Sequence, residues 1–523
     1  MALIYLVELT IYNGGSQTLR YADGEGYNHS SAPGFYAGRL RGMPTFFAEV
    51  SADPREAGPR TSLGDLLLKN EDGALTATFL QAGVAGHAVT ILLGDSAAAY
   101  GTFETVLTAV MLEPQVTRTD IVIPLRDRGV DLEVPMGGAT FAGTNAGSTG
   151  VEGNADDIKG QRKPVAYGKV RVALPPFVNT SRPIQQLHDG NIEDIDAGYD
   201  KGVVLTKGAA RSFASIDVTA DPGAGQFDYH LGVSATSAAY VRLVSTEARS
   251  GPIFYTLQGD KRGGTYRTSA ADLFAEWAAQ RVTNGPATVT ADITALNAVS
   301  SAICGFFNRE DLTVAEAFNR LLPSVNGKWW LSATGDLRVR QLTAPTGTPV
   351  ANFRRFGVAT AAIATDVDIV SYELLPPELP IVWKVTVLYQ PFWHTQTDGL
   401  DANVAQGLRS SLMHEYRRTD PAEDASIKTT YPGAIELEVR TLLDAEADAE
   451  TLRDLIFDLF SVRRDPLKLS VRLNGDLAGV IDIGAQVKTF DILDYGAVGR
   501  AQTVLGRGLF DRKARLMQVK VWG

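Results

Sequence analysis

Hydrophobic and polar positions alternate from the start of the chain. Tyr5, Val7, Leu9 and Ile11 interleave with Ile4, Leu6, Glu8 and Thr10, a two-residue period that predicts a strand with one more polar face. Further strand-like runs fall at Phe46 to Val50, Leu75 to Phe79, His87 to Leu93 and Asp120 to Leu125. Turn clusters such as Asn13-Gly14-Gly15 and Asn70-Glu71-Asp72-Gly73 punctuate them. That rhythm favours a β barrel or sandwich over alternating β and α units, and it defines a first block, 1–130. A small-residue stretch, 137–153 (GGATFAGTNAGSTGVEG), reads as a mobile loop at a domain edge or interface. It opens a second, irregular β block, 131–257.

Helical periodicity enters only in a third block, 258–345. Ser269 reads as an N-cap, with Leu273, Phe274, Trp277 and Ala278 on one face. Thr313 and Glu316 fit a capping box, in which hydroxyl and carboxylate satisfy free amides of the first turn; Phe318, Leu321 and Leu322 give that helix its apolar side. Trp329 to Ala333 and Leu337 to Leu342 flank Thr334-Gly335-Asp336 as a hairpin. The last block, 346–523, is β again with one strong helix, Glu446 to Val462, whose Leu452, Leu455, Ile456, Leu459 and Phe460 make an amphipathic stripe. Glu446, Asp448 and Glu450 open it and Arg463 and Arg464 follow it, matching the helix dipole. Strands follow at Leu467 to Leu473, Gln486 to Ile492 and Leu516 to Trp522. The fold class expected is mainly β with an α+β middle, in several domains.

Composition narrows the function. The 523 residues are 45% hydrophobic and 21% charged, an ordinary globular balance that excludes disorder as the main state. The 51 glycines suit a chain of many short strands and turns. Lys+Arg 49 against Asp+Glu 60 gives a net charge of −11, which argues against a nucleic-acid grip built on clustered cations. It does not prevent DNA from sliding past an acidic wall. One cysteine excludes a disulfide framework or a thiolate metal cage within the chain. No stretch reaches the ~18 apolar residues of a membrane helix. Glu8 interrupts the first apolar run and no basic segment precedes it, so no secretory signal is read there; without one, the sequons at Asn28 and Asn179 carry no meaning.

Candidate chemistry is sparse. His414-Glu415 lacks the second histidine of a zinc pair, Asn326-Gly327-Lys328 is followed by Trp329 where a phosphate loop needs Ser or Thr, and no nucleophile elbow exists. Cys304 lies in an apolar run with no neighbouring base and reads as a buried structural thiol. The densest ionisable cluster is His188 and Asp189 with Glu193, Asp194, Asp196 and Asp200; it does not fit a calcium loop and reads as a solvated turn. Asp221, Asp228 and His230 form a weaker group of the same kind. A glycosidase would draw its carboxylates from these regions, Asp189 and Glu193 first. Trp329, Trp330 and Trp393 are either core residues or platforms for a sugar.

One segment carries a resemblance. Gly150 to Gly168 reads GVEGNADDIKGQRKPVAYG. It resembles the D-[IL]-K-G-[KR]-x-K-P-x-x-[FY]-G stretch of tail-tip (baseplate) hub proteins of long-tailed bacteriophages and gene transfer agents. The matching positions are Asp157, Ile158, Lys159, Gly160, Lys163, Pro164, Tyr167 and Gly168; Gln161 departs from the basic residue of the pattern. The Leu174-Pro175-Pro176 turn, the run 185–190 (QQLHDG), Tyr199-Asp200-Lys201-Gly202, and the ending 516–523 (LMQVKVWG) with its Trp522-Gly523 pair are similar too.

The resemblance implies two tube-like β domains, 1–130 and 346–523, bracketing insertion domains. It implies a homotrimer whose two such domains per subunit match a sixfold tail tube. Its expected partners are a distal tail ring protein, the tape-measure protein and a central fibre or spike. Genome DNA would pass through the lumen without specific binding. The expected place is the tail tip of a virion assembled in the bacterial host cytoplasm, with a closed adaptor that opens for DNA ejection. Neither enzymatic activity, cofactor nor metal is expected. The runner-up readings are a tail-associated glycosidase and a carbohydrate-binding receptor module.

Overall fold

The computed structural model describes residues 3–146, 149–218, 221–234, 237–245, 252–355, 366–396, 399–473 and 475–523. The chain is mainly β, 42% strand against 17% helix, and multi-domain; its strands include one closed six-stranded barrel and one half-barrel.

The first strand, Leu3–Tyr12, shows why its alternation works. It lies between Ser16–Ala22 and Ala88–Asp95 in a seven-stranded sheet. Tyr5, Val7, Leu9 and Ile11 enter the main core, whereas Ile4 and Leu6 face a smaller cluster with Tyr27, Tyr36, Leu92 and Phe103. Both faces are therefore covered over its first half. A four-stranded sheet containing Leu66–Lys69 and Asp120–Ile123 completes this module.

Leu75 to Phe79, expected as a strand, is instead the start of a helix, Thr76–Gln81. Leu75 and Phe79 are four apart, a spacing that serves a helical turn as well as a strand face. Asn70 decides the matter: its side chain accepts from the Leu75 amide at 2.9 Å and donates to Thr76 Oγ1 at 2.9 Å, turning the chain there.

The middle of the molecule is a nine-stranded sheet running from Phe177–Asn179 at one edge to Gly305–Asn308 at the other. The glycine-rich stretch is not a free loop over its described part. Thr144–Ala146 pairs with Thr149–Asn154, and Phe141, Val151 and Ile158 pack against Val178, Ile184, Ile216 and Tyr240. Residues 147–148 lie outside the described residues.

Helix Ala270–Arg281 begins at Ser269, whose side chain accepts from the Asp272 amide, and Val314–Leu321 begins with the Thr313–Glu316 capping box. Helix Thr290–Val299 has no counterpart in the sequence reading, because its Ala- and Thr-rich run carries no stripe. Gly327–Leu331 and Leu337–Gln341 form the expected hairpin.

The closed barrel consists of Ala351–Arg355, Asp366–Leu374, Pro466–Arg472, Leu516–Trp522, Arg500–Gly508 and Gln486–Thr489; pairing of the last two with each other closes the ring. Its interior is a separate core of Phe353, Ile369, Leu469, Val487, Val504, Val519 and neighbours. The ring also continues outward. Phe47, Ala48 and Glu49 of strand Phe46–Val50 pair with Gly508, Arg507 and Gly506, and Pro59–Leu63 follows as the next strand. The first module thus supplies a hairpin to the sheet of the last. Helix Glu446–Phe460 buries Leu452, Ile456, Leu459 and Phe460 beside the strand Val382–Tyr389.

Candidate functional site

The residues of the hub-like segment act first as joints. Gly160 has φ +79° and its amide donates to Phe141 O at 2.9 Å, closing the turn over the buried Ile158. Asp157 accepts from Asn154 Nδ2 at 3.1 Å, so it caps the turn that carries Lys159 at the surface. Lys163 Nζ lies 2.5 Å from Glu152 Oε1 and 5.5 Å from the centre of the Phe141 ring. Pro164 is buried and leads into strand Val165–Ala173. Tyr167 is fully buried; its hydroxyl accepts from Arg281 Nε at 2.8 Å, and its ring meets Trp277 edge to face at 5.4 Å. Gly168 (φ +61°) packs against the backbone of Cys304. At the other end, Trp522 is buried 5.6 Å from Phe460, and Gly523 O accepts from the Asp465 amide at 3.2 Å.

The His188–Asp200 cluster corrects the sequence reading. His188 is fully buried and the Asp189 side chain is only 9% exposed, so neither is a solvated turn residue; they sit at the junction of the nine-stranded sheet and helix Ala270–Arg281. Asp189 is gripped by Arg281, at 2.8 and 3.1 Å, and by Arg262. Burial makes charging Asp189 costly, yet the His188 ring and the two guanidiniums outweigh it and hold the carboxyl well below its usual range. His188 Nδ1 accepts from the Ala166 amide at 3.0 Å; burial depresses its pKa against the opposing pull of Asp260. Nearby, Glu276 Oε2 is buried with no hydrogen-bond partner among the described residues, and burial followed by the charge of Asp260 pushes that carboxyl up to about 8.

The outer members of the cluster separate. Glu193 pairs with Lys261 at 2.7 Å, Asp194 with Lys207, and Asp196 with Lys169 at 2.6 Å. Asp228 is tied to Arg211 at 2.6 Å and Asp221 to Arg242 at 2.8 Å, while His230 Nδ1 donates to Arg211 O at 2.9 Å. These carboxylates are spent on separate ion pairs rather than set across a cleft from one another. Among the described residues no group of three or more His, Cys, Asp or Glu is placed to hold a metal ion.

Burial rules out a sugar platform at Trp329 and Trp330, whereas Trp393 is only partly buried. Trp329 and Trp330 are 4% and 1% exposed, and Trp329 Nε1 donates to Asn319 Oδ1 at 2.9 Å. Trp393 packs edge-on against Phe306 and Phe307. Cys304 is fully buried, which pushes its thiol up to about 12.

Three features escaped the sequence reading. Lys328, part of the rejected phosphate-loop match, is buried and donates to Asp53 O and Glu56 O, both at 2.5 Å; burial pushes its pKa down to about 7. Lys520 is buried between Glu49 at 3.1 Å and Glu378 at 2.5 Å. A cavity of about 510 Å³ opens beside Trp522, Phe460, Tyr431, Val462 and Arg464. Only the Trp522-Gly523 ending hinted at the last of these.

No protein-family model matches the sequence, and no curated protein matches it. Among solved structures the chain is similar to the tail protein from Neisseria meningitidis MC58, with 11% identity, 99% of this chain and 96% of that chain covered, and a TM-score of 0.41. It is similar to the 43 kDa tail protein of prophage MuSo2 from Shewanella oneidensis, with 10% identity, 99% and 98% covered, and a TM-score of 0.39. A chain of the virion of a native gene transfer agent particle gives 14% identity, 76% and 91% covered, and a TM-score of 0.40. At these scores the likeness assigns no residue a role.

Proposed function

We propose that this chain is a structural protein of a bacteriophage-type tail, and within the tail its tip or baseplate hub. The observation that carries the reading is the continuous sheet: the closed barrel of the last block accepts the Phe46–Val50 hairpin of the first module at Arg500–Gly508. Two β modules are thereby locked side by side in each subunit, so three subunits place six modules around an axis. The hub-like segment 157–168 and the Trp522-Gly523 ending support the same reading from the sequence.

In this role the chain is a homotrimeric adaptor. It closes the tail tube, meets the distal tail ring and the tape-measure protein, carries a central fibre or spike, and opens to let DNA through. Its net charge of −11 suits a lumen that DNA passes without sticking. It works without catalysis and without a cofactor.

Light scattering after size exclusion tests the stoichiometry. The expected mass is three times the 56.1 kDa subunit, either alone or once tail tubes are added. A chain that stays monomeric and fails to sediment with tail tubes would overturn the proposal. Turnover of peptidoglycan or capsule by the purified chain would overturn its non-enzymatic part.

A further inference from the structure

A second cavity, of about 560 Å³, opens where three distant stretches of the chain meet. Arg55 comes from the turn between strands Phe46–Val50 and Pro59–Leu63, Arg320 from the last turn of helix Val314–Leu321, and Arg440 from the end of strand Ile435–Arg440. In that strand Leu437 and Val439 are buried, so Glu438 and Arg440 share the outward face. Tyr416 and Trp393, both partly buried, add aromatic wall. The size is that of a small-molecule pocket.

The charge of the lining is one-sided. Three guanidiniums and one carboxylate border the space, an excess of two positive charges in a chain whose net charge is −11. Partners outside the lining leave that excess unchanged: Arg55 holds Asp53 through Nε and Nη2, and Glu438 pairs with Arg418 at 2.7 Å. Arg320 and Arg440 have no carboxylate within 4 Å among the described residues. Glu316, one turn before Arg320, spends its carboxylate on Thr313 in the capping box.

The two unpaired guanidiniums converge on Tyr416. That of Arg440 lies 5.9 Å from the centre of its ring. Burial raises the Tyr416 pKa; among the charges that act on its hydroxyl Arg440 is the strongest, and Arg320 pulls the same way against Glu415. The hydroxyl itself makes no hydrogen bond among the described residues. A tetrahedral dianion answers this set. Guanidinium forks pair with its oxygens two at a time, the hydroxyl donates to another, and a phosphate monoester carries nearly two negative charges near pH 7. A single carboxylate would neutralise only half of the excess. The cavity is also larger than one phosphate requires, which leaves room beside Tyr416 and Trp393 for the group that carries it.

We propose that this cavity binds a phosphoryl dianion, free or as the monoester of a small molecule such as a sugar, held by Arg320, Arg440 and the Tyr416 hydroxyl. The inference stands apart from the hub reading: it concerns one cavity of a single subunit and needs no trimer.

Calorimetry on the full chain tests it, in low-salt buffer at about pH 7.5, where phosphate monoesters are dianions. The probes are inorganic phosphate, glucose 1-phosphate, glucose and acetate. Saturable binding of one or both phosphates is expected, with glucose and acetate at least about tenfold weaker. Tighter binding of the ester supports a monoester as the ligand, and tighter binding of inorganic phosphate supports the free ion. Arg320→Gln and Arg440→Gln change exposed side chains, and each should weaken the phosphates by about tenfold. Arg440→Lys keeps the charge without the fork and should fall between the parent and Arg440→Gln. Tyr416→Phe keeps the ring beside Arg440 and should cost about threefold. Arg463→Gln, at an exposed arginine outside the cavity, should leave binding unchanged. Acetate or glucose binding as tightly as the phosphates would overturn the proposal. So would an equal loss in Arg463→Gln, an affinity that neither Arg320→Gln nor Arg440→Gln moves, or no saturable signal from either phosphate. Thermal melts that match the parent separate loss of binding from loss of fold.

Discussion

Gly168 and Cys304 approach so closely that a Cβ on Gly168 would lie 2.0 Å from the Cys304 carbonyl oxygen. Gly168 also has φ +61°, in the left-handed region, where a side chain is strained. The contact is the seam at which strand Val165–Ala173 meets the edge strand Gly305–Asn308, with Gly168 opposite Gly305. Gly168→Ala must both strain the backbone and force that seam apart. It is expected to cost about 3–5 kcal/mol, measured as a fall in urea midpoint at unchanged slope. A change within the experimental scatter would show that the seam is pliable.

Arg281 and Arg262 depend on Asp189 in the same way. Removing the carboxylate with Asp189→Asn leaves the largely buried Arg281 without its anion and Arg262 with Asp260 alone, 3.4 Å away, and the expected loss is about 3–5 kcal/mol. Asp189 has a folded pKa below its unfolded value. Its contribution is therefore present above the unfolded pKa, near 3.9, and is lost as pH falls toward the folded value. The acid limb of the stability profile should consequently flatten in the variant. A variant with the parent's acid limb would locate that pH dependence elsewhere.

Glu276 works in the opposite direction. Its folded pKa of about 8 lies above its unfolded value, so the carboxyl favours folding fully below the unfolded pKa, and that advantage is lost as pH rises toward 8. Glu276→Gln keeps the acceptor that meets Gln280 Nε2 at 2.9 Å and removes the charge. The expected result is a gain of about 1–3 kcal/mol near pH 7 that vanishes below pH 4. A pH series of denaturant midpoints checks it; a variant less stable at neutral pH would mean that Arg267, 3.8 Å away, stabilises the ionised form.

Local signals were legible in the sequence and distant ones were not. Ser269 and Thr313 announce their helices because an N-cap needs only residues three positions on. Cys304 was readable as buried from its apolar neighbours alone. The Leu75–Phe79 strand was misread because its two large residues suit either period. Asp189 was misplaced at the surface for a different reason: its partners Arg262 and Arg281 stand 73 and 92 positions further along, and nothing local marks their arrival. The burial of Trp329 and Trp330 has the same origin, since both sides of their strand are covered: Trp329 meets Phe318 of the capped helix, while Lys328 beside it reaches the carbonyls of Asp53 and Glu56.

Cys304 gives a direct check on that packing. With the thiol buried and its pKa pushed up to about 12, the thiolate is scarce at neutral pH and no reagent can reach it. Native protein at pH 8 is expected to leave a disulfide-exchange reagent unreacted over hours, whereas protein in urea should release one equivalent at once. Rapid labelling of the native state would mean that the seam at Gly168 opens locally.

Lys520 ties the two β modules together by charge as well as by backbone. Its ammonium sits between Glu49 of the first module's hairpin and Glu378 of the segment following strand Asp366–Leu374. Glu378 in turn accepts from Ser51 Oγ at 2.7 Å and the Ala52 amide at 3.1 Å. Burial works against that carboxylate, but Lys520 and Ser51 hold it below its usual range. Lys520→Met would leave two carboxylates without their cation, at an expected cost of about 3–5 kcal/mol. Adding Glu378→Gln should recover part of that loss, with a coupling of about 1–3 kcal/mol in the double-mutant cycle. Because the lost contacts lie between the modules rather than within either core, unfolding of Lys520→Met should also split into two transitions, one for each. A single transition with additive losses would show that the strand pairing of Phe46–Val50 with Arg500–Gly508 holds the modules together without the charge.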